Sequence, residues 1–259
     1  MTDAPATTKR KHVDLETARA ARGLRLVTVE GIPSPWSEAA KGIFHVKEIP
    51  FVTVRLSPAD RTVREWTRVR NAPAAMYENE PARTGWADIL ELGERLAPAR
   101  SLVPADPAAR VRMFGLAHEV MGEGGLLWSS RNLTIHLGLT TDGARGFPPM
   151  VAGYLGKRYG YDPGQLDRAR ARVAESWTLL AETLGDRPYY FGTTPTALDI
   201  YSAAAVNLFA LPPEESCAMF PLIRTAFETM RGDVAEPPPA LVEHRDRMYA
   251  RHLELPIEV

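Results

Sequence analysis

Leu24-Arg25-Leu26-Val27-Thr28-Val29 alternates apolar and polar positions, and Phe51-Val52-Thr53-Val54-Arg55-Leu56 repeats that pattern, so both segments are expected to be strands. Between them Trp36, Ala39, Ala40, Ile43 and Phe44 recur at helical spacing. They follow Ser34-Pro35, an N-cap and N1 pair that starts a helix, and Pro50 ends it. A second helix is expected from a capping box at Ser57-Pro58-Ala59-Asp60 to about Arg70, with Val63, Trp66 and Val69 inward. Residues 74–80 read as one or two short strands. Residues 85–96 read as a helix with Trp86, Ile89, Leu90 and Leu96 inward. The order is β-α-β-α-β-(β)-α, and a helix between the first two strands implies a parallel pair with a right-handed crossover.

Prolines punctuate residues 98–107, and no strand pattern follows. Helices are expected at 107–122, 126–139, 148–159, 163–184, 196–211, 219–231 and 238–253. The clearest is 163–184, where Leu166, Ala169, Val173, Trp177, Leu180 and Leu184 share one face. Residues 14–22 suit a short helix closed by Gly23, with residues 1–13 a loose tail. The expected organisation is an extension at 1–23, an α/β unit at 24–98, a linker at 99–106 and an all-helical unit at 107–259.

Charge narrows the function. The 259 residues hold 31 Lys+Arg against 32 Asp+Glu, for a formal net charge of -1. That balance offers no field to steer a polyanion, so nucleic acid is not an expected partner. No apolar run approaches the roughly 18 residues of a membrane span, and the first 23 residues lack the apolar core of a signal peptide. The one cysteine, Cys217, excludes an internal disulfide and points to a reducing, cytoplasmic setting. It is expected to be a small buried hydrophobe. The six histidines form no H-x-x-x-H or H-E-x-x-H spacing, so no metal site is expected.

A β-α-β-α-β-β-α half followed by an all-helical half resembles the glutathione transferase superfamily: a thioredoxin-like α/β domain, then an all-α domain. Four segments carry the resemblance over about residues 24–211. Ser34-Pro35-Trp36-Ser37 sits where such proteins hold C-P-x-C or a serine variant. His45 to Phe51 is similar to the passage from first helix to second strand, and Ala72-Pro73 stands where the family has a cis-proline. Tyr189 to Tyr201, with Thr196-Ala197-Leu198-Asp199 at its centre, closely resembles the helical-domain signature. Thr196 and Asp199 also form a capping box in their own right, a folding element worth about 1 kcal/mol.

The resemblance implies a homodimer that transfers or adds a thiol, glutathione, to an apolar electrophile; thiol-assisted reductive cleavage or isomerisation is a close variant. The alternative is a binding or structural protein of this fold without thiol chemistry. On the enzyme reading Ser34 and Ser37 are the catalytic candidates. A helix N-terminus favours an anion and lowers a thiol's pKa, and a serine hydroxyl can donate to the thiolate. Otherwise Ser34 caps its helix and Ser37 is a polar residue of the first turn. Thiol binding would involve Ser34, Trp36, Ala72, Pro73, Thr84 and Gly85, with Trp36 the one more suited to core packing. The family's acidic-serine pair for the γ-glutamyl end is replaced here by Thr84-Gly85-Trp86. Met113, His118 and Met121 either line the cleft for the apolar substrate or belong to the core.

Overall fold

The computed structural model describes residues 12–57 and 61–259. Strands β1 (Leu24–Val29), β2 (Phe51–Leu56) and β3 (Ala74–Tyr77) form a sheet in the order β2-β1-β3. β1 pairs in parallel with β2, Val27 opposite Val54, and antiparallel with β3, Val27 opposite Ala74. The possible fourth strand is reduced to one bridge between Ala75 and Arg83. Pleating sends Leu24 and Leu26 to one face and Val27 to the other, where Val54, Val63 and Ala74 join it in a small second core.

That second core lies under α1 (Leu15–Ala20) and α3 (Thr62–Thr67). α1 is capped by the Asp14 carboxylate, which takes the Thr17 N–H at 2.7 Å. α3 starts at Thr62 behind Arg61, later than expected, and the capping box assigned to residues 57–60 lies largely outside the described residues. His12 and Val13 do not hang loose. The Val13 N–H donates to the Thr53 carbonyl at 2.9 Å, adding a short piece to the β2 edge.

The larger core is shared by α2 (Pro35–Val46), α4 (Trp86–Leu96) and the helices that follow. These are α5 (Pro107–Met121), α6 (Leu126–Thr140), α7 (Pro149–Tyr159), α8 (Leu166–Leu184), α9 (Ala197–Val206), α10 (Pro221–Thr229) and α11 (Pro239–Arg251). No strand lies within 107–211 among the described residues. Every residue of α9 is buried, Asp199 and Ser202 included among its apolar neighbours. α2 can lie against it because Gly42 has no side chain: a Cβ there would stand 2.7 Å from Ile200 Cγ2. This packing fixes the axis of α2, and with it the direction of its N-terminus.

The polar centre of α9 is Asp199, fully buried. Its carboxylate accepts the Thr196 N–H at 2.7 Å and hydroxyl at 2.8 Å, and the Tyr190 N–H at 3.0 Å. It also lies 3.0 Å from Nε2 of the equally buried His244 on α11. The cap expected from sequence is therefore one arm of a hub joining the Tyr190 turn, α9 and α11.

Candidate functional site

The site begins where β1 gives way to α2. Gly31 has φ +70°, and the Phe220 ring lies against the space its side chain would fill, so only glycine makes this turn. The chain then reaches Ser34 in an extended conformation (φ -56°, ψ 121°) and enters α2 through Pro35. The Ser34 carbonyl accepts the Glu38 N–H at 2.8 Å, but the Ser34 hydroxyl makes no cap bond to the helix. Ser34 thus keeps a hydroxyl beside a helix N-terminus whose first N–H groups have no intrahelical acceptors. Ser34 is 8% exposed, and Ser37, the second catalytic candidate, lies deeper still. It is 1% exposed, and its Oγ lies 3.5 Å from the Val29 N–H as acceptor, beneath the helix.

The sheet register brings three segments to the same end. Because Val27 stands opposite Ala74, the loop entering β3 lies beside the turn leaving β1. The Ala72–Pro73 bond in that loop is cis. The antiparallel Ala75–Arg83 bridge then runs Thr84 and Gly85 back alongside Ala74 and Pro73. Gly85 is the N-cap of α4, and the Asp88 carboxylate folds back over it: a Cβ on Gly85 would stand 2.3 Å from Asp88 Oδ2. The N-terminus of α4 therefore already faces a carboxylate, which lowers its attraction for a second one.

Helices α4, α5 and α9 meet at half-buried Trp86, which lies edge-on to Tyr201 at 5.6 Å between ring centres, with Phe114 at 6.3 Å and His118 at 6.5 Å. His118 is exposed, but Met113 and Met121 are 0% and 2% exposed within the core, so they do not line a cleft. Trp36 is half-buried and donates its indole N–H to the Met121 carbonyl at 2.9 Å, tying the first turn of α2 to the end of α5.

Sequence reasoning missed Arg131 on α6. Its guanidinium carbon lies 4.6 Å from the centre of the Trp36 ring, 4.9 Å from that of Trp128 and 4.1 Å from that of Tyr159. Nη1 is buried without a hydrogen-bond partner, and no carboxylate among the described residues pairs with this arginine. Burial, with the nearby Arg158 charge adding to it and Tyr159 opposing, pushes its pKa down to about 10. Arg158 reaches from α7 to the Arg70 carbonyl at 3.1 Å and to the Asn71 side-chain oxygen, just before Pro73. The only sequence signal was Trp128 three residues before Arg131, a spacing common on helices; the other two rings, Trp36 and Tyr159, come from α2 and α7.

Two other features carry none of these groups. A cavity of about 510 Å³ beside the Gly31 turn is lined by Glu30, Arg55, Phe220 and the C-terminal residues 256–259. With Glu215 and Glu258 it is too acidic to favour a thiolate. Cys217 is fully buried, and burial together with the Glu38 charge pushes its thiol up to about 11, away from nucleophilic use.

A three-stranded mixed sheet with a helix N-terminus and a cis-proline loop at one end, followed by helices, defines a thioredoxin-like domain with an appended all-α domain. This is the fold of the glutathione S-transferase superfamily, and residues 163–247 match the profile of the glutathione S-transferase C-terminal domain. A glutathione S-transferase from Methylobacterium radiotolerans, solved with glutathione sulfonate, is similar at TM-score 0.55 and 20% identity, covering 88% of this chain and 91% of its own. Beta-etherase LigF from Sphingobium is similar at TM-score 0.56 and 20% identity, over 87% and 99% of the two chains. Glutathione transferase Omega 3C from Trametes versicolor is similar at TM-score 0.56 and 16% identity, over 91% and 89%. No curated protein matches the chain in sequence.

Proposed function

We propose that the protein is a glutathione transferase-like enzyme that adds or transfers a thiol, glutathione first among candidates, to a small electrophile. The observation that carries the reading is the Ser34 hydroxyl, uncommitted at the N-terminus of α2 and beside the cis-Pro73 loop. A thiol seated there ionises more easily, because the helix N–H groups and the hydroxyl stabilise its negative charge. The thiolate then attacks the electrophilic carbon. A carbon–sulfur bond forms; either the leaving group departs with its bonding pair, or the π pair of the attacked double bond shifts toward the conjugated carbonyl and the α-carbon then takes a proton from water. The backbone at Ala72 and the Thr84–Gly85 segment are the proposed cradle for the peptide of the thiol. The solved structure with glutathione sulfonate supports the choice of thiol by likeness of fold.

The test is glutathione-dependent consumption of a panel of aryl halides and unsaturated carbonyls. Wild type should be active and Ser34→Ala reduced by about one to two orders of magnitude, the worth of one charge-assisted hydrogen bond of roughly 1.5–3 kcal/mol. Asp88 over Gly85 favours a second reading, a binding protein without thiol chemistry, because it opposes the acidic end of glutathione. Absence of thiol-dependent turnover across the panel selects that reading.

A further inference from the structure

Arg131 is half-buried, and its Nη1 is shut off from water without a hydrogen-bond partner. A guanidinium without a carboxylate partner gives up hydration there, and stacking on aromatic rings offsets part of that loss without satisfying the N–H groups. Helical bundles are ordinarily stabilised by apolar side chains at such positions. Here the guanidinium is held by Trp36, Trp128 and Tyr159 from three separate elements, with Nη1 left without an acceptor. A second cation, Arg158, donates to the Asn71 side-chain oxygen. The described residues offer Arg131 no counter-charge. The location is also specific. One of the three rings belongs to Trp36, two residues after Ser34, in the turn where a thiolate would sit.

We infer that the electrophile carries an anionic group, a carboxylate in the first instance, and that Arg131 is its recognition residue. This deepens the proposed thiol-transfer reading and rests on it. The inference replaces the expectation of a wholly apolar electrophile: the aromatic rings receive the apolar body, and the guanidinium receives the charge. An arginine suits this task because its planar fork bonds both oxygens of a carboxylate at once. The acid then fixes the electrophile's orientation, so its reactive carbon meets the thiolate at the N-terminus of α2.

The test uses para-chloro-meta-nitrobenzoate and its methyl ester, which share a body and differ in charge. In the reaction the thiolate sulfur bonds to the ring carbon bearing chlorine, the carbon–chlorine bond breaks, and chloride leaves. Without a thiol neither compound reacts, so calorimetry first gives binding alone. Wild type should bind the acid about ten- to a hundred-fold more tightly than Arg131→Met does, with the ester's affinity changed far less. Arg131→Lys should recover part of the acid's affinity. Thermal melting of each variant confirms that it is folded. Equal losses for acid and ester would make Arg131 a structural strut and overturn the inference. Binding of S-methylglutathione should be the same in wild type and Arg131→Met; its loss would assign Arg131 to the thiol's own carboxylate and overturn it equally. Turnover with glutathione separates the two readings. Arg131-dependent binding of the acid without turnover of any electrophile defeats thiol transfer but leaves the anion site. Turnover of acid and ester alike, unaffected by Arg131→Met, leaves thiol transfer and defeats the anion site.

Discussion

The indole N–H of Trp36 donates to the carbonyl of Met121 at 2.9 Å, so a side chain in the first turn of α2 caps the last residue of α5. The final carbonyls of a helix have no intrahelical donors, and this one is satisfied from the sheet domain. The bond couples the direction of α2, and thus of its N-terminus, to the helical wall. Trp36→Phe keeps most of the packing and removes the donor. It should lower stability by about 1–3 kcal/mol in urea unfolding, the cost of leaving a half-buried carbonyl unpaired. An unchanged midpoint would show that water replaces the indole.

Asp199→Ala should cost more than the roughly 1 kcal/mol of an ordinary cap. It leaves buried His244, the Tyr190 N–H and the Thr196 N–H without their acceptor, a loss of about 3–5 kcal/mol. The measurement is denaturant unfolding of wild type and variant. A loss near 1 kcal/mol would mean that only the cap contributes.

Arg131→Met should be neutral or stabilising in the absence of ligand, because it replaces a half-buried cation with an unpartnered Nη1 by an apolar chain of similar reach. A melting temperature equal to or above that of wild type is expected. A drop of several degrees would show that the stacking on Trp36, Trp128 and Tyr159 outweighs desolvation.

His252 gives a pH dependence. Burial first, and the neighbouring Arg251 charge second, lower its pKa below the ordinary 6.5, with Asp199 opposing. Folding thus favours the neutral ring. Between the folded pKa and 6.5 the unfolded chain binds more protons, so stability falls as pH drops through that window. His252→Gln should flatten the decline in melting temperature on going from neutral to mildly acidic pH. Parallel curves for the two proteins would remove His252 from the account.

The elements were legible wherever one periodicity dominated. The β-rich runs of β1 and β2, the apolar face of α8 and the Pro-led start of α2 each form the expected element, although β1 is buried on both faces and does not alternate with solvent. Asp199 was legible as a cap because its partner Thr196 is local, but not as a hub, because His244 comes from a helix 45 residues away. Ser34 was legible as the residue that leads into α2, and its surroundings were less so. Ser37, Met113 and Met121 carry suitable chemistry at suitable spacing, yet one turn of helix decides whether such a residue faces a cleft or the core. Arg131 was invisible because its environment is assembled from α2, α6 and α7, and no local pattern encodes three rings meeting around one guanidinium.

The central claim is that Ser34 and the N-terminus of α2 stabilise a bound thiolate. It is tested most directly by titrating enzyme-bound glutathione through the ultraviolet absorbance of its thiolate. In wild type the bound thiol should ionise below the ordinary thiol value of about 8.5. Ser34→Ala should raise that bound pKa by about one to two units. Identical titrations in the two proteins, or a bound thiol that ionises no more easily than the free one, would contradict it.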